Sequence, residues 1–193
     1  MGANLKEVRD RIKSVISTQQ ITKAMKMVSA AKFRKAQQAI TQIRPYADRL
    51  NRMMKNIAAN TDGGSTLVYN QERDVKKVML VVVTSSRGLC GAFNTNVVKA
   101  AVASIEGKYS QVYKDGNLSI LCIGKKGFDG LKRRYPKAHF NTESVDLFMN
   151  LAFENVASVS GKIMGLFAGK EYDEVAVAYS RFKNAAMQFA EVE

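Results

Sequence analysis

The feature that most constrains this chain is an apolar seam of period 3.5 running through its first 57 residues. Counted in alternating steps of three and four, the seam reads Leu5, Val8, Ile12, Val15, Gln19, Thr22, Lys26, Ser29, Phe33, Ala36, Ile40, Ile43, Ala47, Leu50, Met54 and Ile57. Both ends are apolar and the middle four positions are polar. A sustained 3.5-residue repeat is the mark of a helix that supercoils left-handedly around another. The rest of the sequence supplies no helix of equal length to pair with it. The spacing predicts one rod from Asn4 to Ala59, kinked at Pro45 because the seam stays in register on both sides of that proline. Where the strict seam turns polar, a second apolar set appears at Ile21, Ala24, Met25, Val28 and Ala31, so the helix changes the face it offers partway along.

Charge follows the same division. Residues 1–57 hold 13 basic and three acidic side chains, whereas the remaining 136 residues hold 17 and 14. The net charge of +13 therefore sits mainly on the rod, and it calls for an acidic partner. Two isolated cysteines, Cys90 and Cys122, favour a reducing compartment over a disulfide scaffold. A single histidine, His139, removes a His-based metal cluster. No stretch approaches the roughly 20 apolar residues of a membrane span. The start is basic and amphipathic, but a transit peptide would not continue as heptads for this distance, and Met1 reads as a mature cytoplasmic start.

Beyond the rod, Thr61-Asp62-Gly63-Gly64-Ser65 breaks the helix. Domains are expected at 1–60 for the rod, 61–74 for a linker and 75–193 for an α/β domain. Within the last, strands are expected at Lys77–Thr84, Leu118–Ile123, Ala138–Thr142 and Glu174–Tyr179. Helices are expected at Asn96–Glu106, capped by Thr95 or Asn94, at Gly127–Tyr135, and at Asn150–Ala168. Core positions in the last of these are Phe153, Val156, Val159, Ile163 and Phe167. This alternation predicts a mostly parallel, Rossmann-like sheet. The chain then reaches Ala185–Glu193, where a further element should follow.

The turn Thr84–Asn94 (TSSRGLCGAFN) leaves the first strand and enters the first helix, the place where such folds hold phosphate. Its glycines, Gly88 and Gly91, are spaced G-x-x-G. The dinucleotide fingerprint lacks a glycine and the P-loop lacks its Lys-Ser/Thr, so the turn reads first as a tight connection. Cys90 has no His or acid near it in sequence to serve as a base, and Cys122 sits in an apolar strand as inert core. Lys125, Lys126, Lys132, Arg133 and Arg134 form a second basic cluster, read mainly as a solvated face. The carboxylates show no metal-binding spacing. Nucleic-acid binding would suit the basic rod, but Phe33 and Tyr46 are its only aromatics and its charge is spread along the whole length.

Three strings converge: EVRDRIKSVISTQQITKAMKMVSAAKFRKAQ (Glu7–Gln37), RPYA (Arg44–Ala47) and the Thr84–Asn94 turn. Together they resemble the gamma subunit of the F-type rotary ATP synthases, strongly in the rod and the glycine turn and more loosely through the globular domain. The resemblance implies a non-catalytic central-stalk shaft that binds no cofactor and couples ion-driven rotation to the catalytic sites. Its N-terminal helix would pair with a long C-terminal helix, which together with a final strand would follow Glu193. Implied partners are the alpha and beta subunits of the catalytic hexamer, the epsilon subunit and the ring of c subunits. Neither nucleic acid nor a direct membrane span is implied, and the place is peripheral, at the cytoplasmic face of a bacterial plasma membrane. By motif, Gln19, Gln20, Lys23, Met25 and Lys26 would face the inner wall of the hexamer. Arg87, Gly88, Leu89, Cys90, Gly91 and Asn94 would lie at its base. Two readings of other classes remain beside this one: a basic coiled-coil nucleic-acid-binding protein, and a nucleotide-binding enzyme using the glycine turn.

Overall fold

The computed structural model describes residues 4–60, 69 and 73–193. The chain divides into two compact units, Met1–Ser65 and Thr66–Glu193. In the first, one helix, α1, runs unbroken over Leu5–Asn60 with Pro45 inside it. No glycine interrupts these 56 residues, and the side-chain oxygen of Asn4 accepts the Lys6 N–H at 3.2 Å to satisfy one of the orphan donors at its start. Glu7 in the first turn complements the helix dipole. Nearly every described side chain of α1 is exposed. Leu5, Val15 and Met54 of the seam are 66%, 67% and 68% exposed. A helix this long holds its shape chiefly by what packs on its apolar face, and the seam is that face.

The second unit is a five-stranded sheet of order β3-β2-β1-β4-β5. Its strands are β1 (Val78–Val83), β2 (Leu118–Ile123), β3 (His139–Asn141), β4 (Glu174–Phe182) and β5 (Gln188–Val192). The first four are parallel, and β5 pairs antiparallel with β4. The run VMLVVV is buried on both sides of the sheet, as a continuous β-branched strand must be. Val78, Leu80 and Val82 face helix α2 (Phe93–Glu106) through Val97, Ala101 and Ile105. Helices α3 (Ser110–Lys114) and α4 (Lys125–Leu131) complete that layer. Met79 and Val81 face the other way, against Val159, Ile163 and Leu166 of helix α5 (Phe153–Ala168). The expected linker falls largely outside the described residues.

Several expectations are corrected. The helix placed at Asn96 begins at Phe93 with Ala92 at its cap position and no side-chain cap, because Asn94 is engaged by the preceding loop. The helix placed at 127–135 is α4. It starts earlier because Gly124, at φ +91°, turns the chain sharply out of β2. The helix placed at Asn150 starts at Phe153, after a 3-10 turn over Leu147–Asn150. Its expected core residues Phe153 and Val156 are 82% and 41% exposed, since they stand off the face that meets the sheet. Residues 185–193, to which no element was assigned, hold the strand β5 (Gln188–Val192). Its alternation puts Ala190 and Val192 on the α2 side and leaves Phe189 on the other.

An ionic latch ties the turn between α2 and α3 to β4. Tyr109 Oη donates to Glu174 Oε1 at 2.7 Å, and Lys108 Nζ pairs with the same oxygen. Burial opposes ionisation of Glu174, but the hydrogen bonds from Lys108 and Tyr109 outweigh it and hold the carboxyl below its ordinary value of 4.5. Beside it, the Lys77 backbone N–H, joined by that of Lys76, lowers Asp173 from 3.8. A depressed carboxyl contributes stability above its unfolded pKa and loses it as pH falls through the folded one. Urea midpoints measured from pH 7 down to pH 3 are therefore expected to drop below about pH 4.5, and Glu174→Gln is expected to flatten part of that drop. An acid limb unchanged by the substitution would remove the latch from the account.

Candidate functional site

The loop between β1 and α2 is built from its foot upward. Thr84 is buried. Its N–H donates to Ile123 O at 2.8 Å, its hydroxyl donates to Gly124 O at 3.1 Å, and the same oxygen accepts the Gly127 N–H at 2.7 Å. The ends of β1 and β2 and the start of α4 are thus locked together. Gly124 is required there, because a Cβ at that position would lie 2.0 Å from Thr84 O.

The next layer is held by Asn94. Its Oδ1 accepts the Ser85 N–H at 2.9 Å, and its Nδ2 lies 2.8 Å from Ser85 Oγ and 3.1 Å from Cys90 Sγ. The Ser85 hydroxyl donates to Arg87 O, and Ser85 O accepts the Lys126 N–H at 3.1 Å. Above this network the loop projects. Arg87, Gly88, Leu89, Cys90 and Gly91 are all exposed. Leu89 is fully so, at 110%, with φ +62°, and Gly91 has φ +58°. A non-glycine residue in that region costs about 1–2 kcal/mol. An isobutyl side chain held outward on strained backbone is a feature of contact surfaces.

This geometry disfavours the nucleotide reading. In a phosphate loop the backbone N–H groups point at the ligand. Here the Ser85 N–H is taken by Asn94, the Phe93 N–H by Cys90 O at 3.3 Å and the Lys126 N–H by Ser85 O. The foot of the loop is occupied by the Ser85–Asn94–Cys90 network. Among the described residues no group of three or more His, Cys, Asp or Glu could hold a metal. Cys122 is buried, and burial pushes its thiol up to about 12, which fits inert core. Of the second basic cluster, Lys132 pairs with Asp129 at 3.4 Å and Arg134 with Glu106 at 2.7 Å.

The loop brings Arg87, Gly88, Leu89, Cys90, Gly91 and Asn94 together, with Asn94 as internal support and the others at the surface. On α1, Gln19, Gln20, Lys23, Met25 and Lys26 are all exposed. The spacing of Gln19, Lys23 and Lys26 puts those three on one face, whereas Gln20 and Met25 stand on other sides of the helix. Thr84 and Ser85 fall within the named turn without being marked as site residues, and Gly124 was not singled out. The only available hint was a glycine directly after the apolar run LSILCI.

Among the described residues no helix is long and apolar enough to cross a membrane. The two units are, one, a single long helix with an apolar seam and, the other, a Rossmann-like α/β fold whose first strand-to-helix turn is braced by Ser85 and Asn94. A model of the ATP synthase family matches residues 4–193, and the chain belongs to that family, in its gamma-chain branch. It is 51% identical over 190 residues to the ATP synthase gamma chain of Cytophaga hutchinsonii, covering 98% of this chain and 64% of that one. It is 47% identical over 191 residues to the gamma chain of Flavobacterium johnsoniae, covering 99% and 64%. The chain thus spans 64% of the length of these relatives. Its structure resembles the central stalk and c-ring assembly of the Tetrahymena thermophila mitochondrial ATP synthase, with a TM-score of 0.60 and 28% identity over 90% of this chain and 70% of that one. The rotor of the Euglena gracilis enzyme shares the fold, with a TM-score of 0.58 at 23% identity, over 96% of this chain and 60% of that one.

Proposed function

We propose that this chain is the shaft of a rotary ATP synthase, a subunit that carries out no chemistry itself. The observation that carries the reading is α1: 56 unbroken helical residues with an apolar seam at each end, a polar middle and a basic surface, in a chain of the gamma family. A shaft works by presenting a different side to each of several equivalent partners. Differential binding of one face to each of three catalytic subunits shifts their conformations, and only such a difference can do so. Gln19, Lys23 and Lys26 would meet the inner wall of the alpha–beta hexamer, with Gln20 and Met25 presented to other parts of it. Arg87, Gly88, Leu89, Cys90 and Gly91, supported by Asn94, would meet its base. The epsilon subunit and the ring of c subunits are the partners proposed for the globular end. The setting is peripheral, at the cytoplasmic face of a bacterial membrane, in a complex that moves protons.

The polar middle of the seam suits a part that must turn, because a dry apolar contact there would hold one angle too tightly. Gln19→Leu with Thr22→Leu is expected to slow rotation in the assembled motor, and an unchanged rotation rate would dismiss the idea. The reading as a whole is tested by ultracentrifugation at 0.1 M salt with alpha–beta hexamer and, separately, with duplex DNA. Co-sedimentation with the hexamer and not the DNA is expected. The reverse result would restore the nucleic-acid reading.

A further inference from the structure

Helix α5 alone covers its face of the sheet, and it leaves a cleft open toward β3. The cleft has a volume of about 340 Å³ and is floored by Met79 of β1 and Leu121 of β2, both buried. That volume lies at the lower end of the range for small-molecule sites, about 300–1,000 Å³. Val159, Ile163 and Leu166 of α5 form an apolar wall. They pack on the sheet yet stay half-buried, because the cleft runs beside them. The sequence of α5 gives the cleft its depth. Gly165 stands on the flank that lines it, and a Cβ there would meet nothing within 4 Å. The facing wall is the turn after the three-residue strand β3, with Glu143 and Ser144. An apolar floor with a few polar groups at its rim is the general form of a small-molecule site.

The charges on that rim decide what would enter. Glu143, Lys162 and Glu171 line the cleft. Lys162 Nζ lies 3.9 Å from Glu143, joining the two walls by a loose pair of exposed side chains. Glu171 has no ion pair among the described residues. Lys77 stands in a separate polar cleft beyond Glu171, and the two form no ion pair. Past Lys162 the groove continues into a second cleft of about 290 Å³, which shares Glu143 and Lys162 and adds Asp146. Along this flank three carboxylates thus stand against one ammonium. We infer that the cleft between α5 and β3 binds a small amphiphilic amine, with its ammonium between Glu171 and Glu143 and its apolar body on Met79 and Leu121. An anion would have to draw Lys162 away from Glu143 and would then face the carboxylates. A neutral molecule would bury the same apolar body without the charge attraction, which is stronger beside an apolar floor than in open water. The inference is independent of the shaft reading.

The probes are phenylbutylamine, phenylbutanol and phenylbutyrate, which share one apolar body and differ in the charge of the head. Each is titrated at neutral pH into the isotope-labelled 193-residue chain, and amide chemical shifts are followed. The amine is expected to shift residues 118–123, 139–146 and 159–171 and to bind several-fold more tightly than the alcohol, with the carboxylate weakest. Gly165→Leu places a side chain in the cleft at an exposed helical position, where leucine favours helix over glycine. It should abolish amine binding without lowering the urea midpoint. Glu171→Gln should weaken the amine several-fold and leave the alcohol unchanged, a second arm that holds if the leucine variant folds poorly. The inference is overturned by equal affinity for the three probes, by no response to the amine, by shifts confined to other residues, or by amine binding that survives Gly165→Leu. Shifts in the same residues that grow with protein concentration and need no probe would assign the cleft to a second copy of the chain and likewise overturn it.

Discussion

Gly124→Ala is expected to cost about 4–5 kcal/mol, at the upper end of what one substitution does. The new Cβ would meet Thr84 O at 2.0 Å and Thr84 C at 2.6 Å. Both are backbone atoms at the end of β1, and no rotamer change moves them aside. The backbone there, at φ +91° and ψ 134°, is also a conformation that L side chains rarely adopt. Relief requires the β1 and β2 ends to separate, which breaks the Thr84 hydrogen bonds to Gly124 and Gly127 and frees the foot of the exposed loop. Against a typical stability of about 5–15 kcal/mol, that loss brings the α/β unit close to unfolding. Gly116→Ala is the control. It also has positive φ, at +75°, but a Cβ there meets nothing within 4 Å, so it should cost only the backbone strain, about 1 kcal/mol. Urea unfolding followed by tyrosine fluorescence reads both, because Tyr109 and Tyr135 are buried in this unit. Equal midpoints for the two variants would show that the Thr84 contact is not what makes Gly124 necessary.

The second large effect concerns how the rod finds its partner. Lys23, Lys26, Lys32 and Arg34 are exposed on α1 and none has a salt-bridge partner among the described residues. Charges more than about 10 Å apart are screened at 0.1 M salt. If the partner is the alpha–beta hexamer proposed above, long-range attraction between this basic rod and acidic surfaces of that partner would speed encounter more than it deepens affinity. Association is expected to slow by about 10–100-fold between low and high salt, with dissociation changing much less. Replacing the four cations by glutamine should slow association at low salt and flatten the salt dependence. Stopped-flow on-rates independent of ionic strength would leave shape and the exposed loop as the basis of recognition.

Much of this was legible in the residues. The rod could be read because its repeat runs for many turns with no glycine, and β1 because six consecutive β-branched or long apolar residues admit little else. The misses have particular causes. Asn94 looks like a helix cap, and it would be one if the loop did not take its amide. That exchange depends on Ser85 and Cys90 curling back over it, which no periodicity records. Helix α3 is only five residues long and carries no cap signal. Strand β5 has an alternating pattern, but it is short and follows a turn rich in alanine. Phe153 and Val156 fit the apolar periodicity of α5, and periodicity identifies a face without saying whether anything covers it. For the site, the position of the glycine turn followed from the order of strand and helix. The lock beneath it, Thr84 with Gly124 and Gly127, joins residues about 40 apart and could emerge only from the packed sheet.

As proposed above, the chain acts as one asymmetric shaft serving several equivalent catalytic subunits. Native mass spectrometry of the chain mixed in excess with alpha–beta hexamer tests it most directly. A shaft that occupies a single central cavity adds one chain of 21.3 kDa to each hexamer and no more, however large the excess. Three chains per hexamer, one for each catalytic subunit, would show that the chain binds the outside of its partner as an ordinary ligand and would contradict the account.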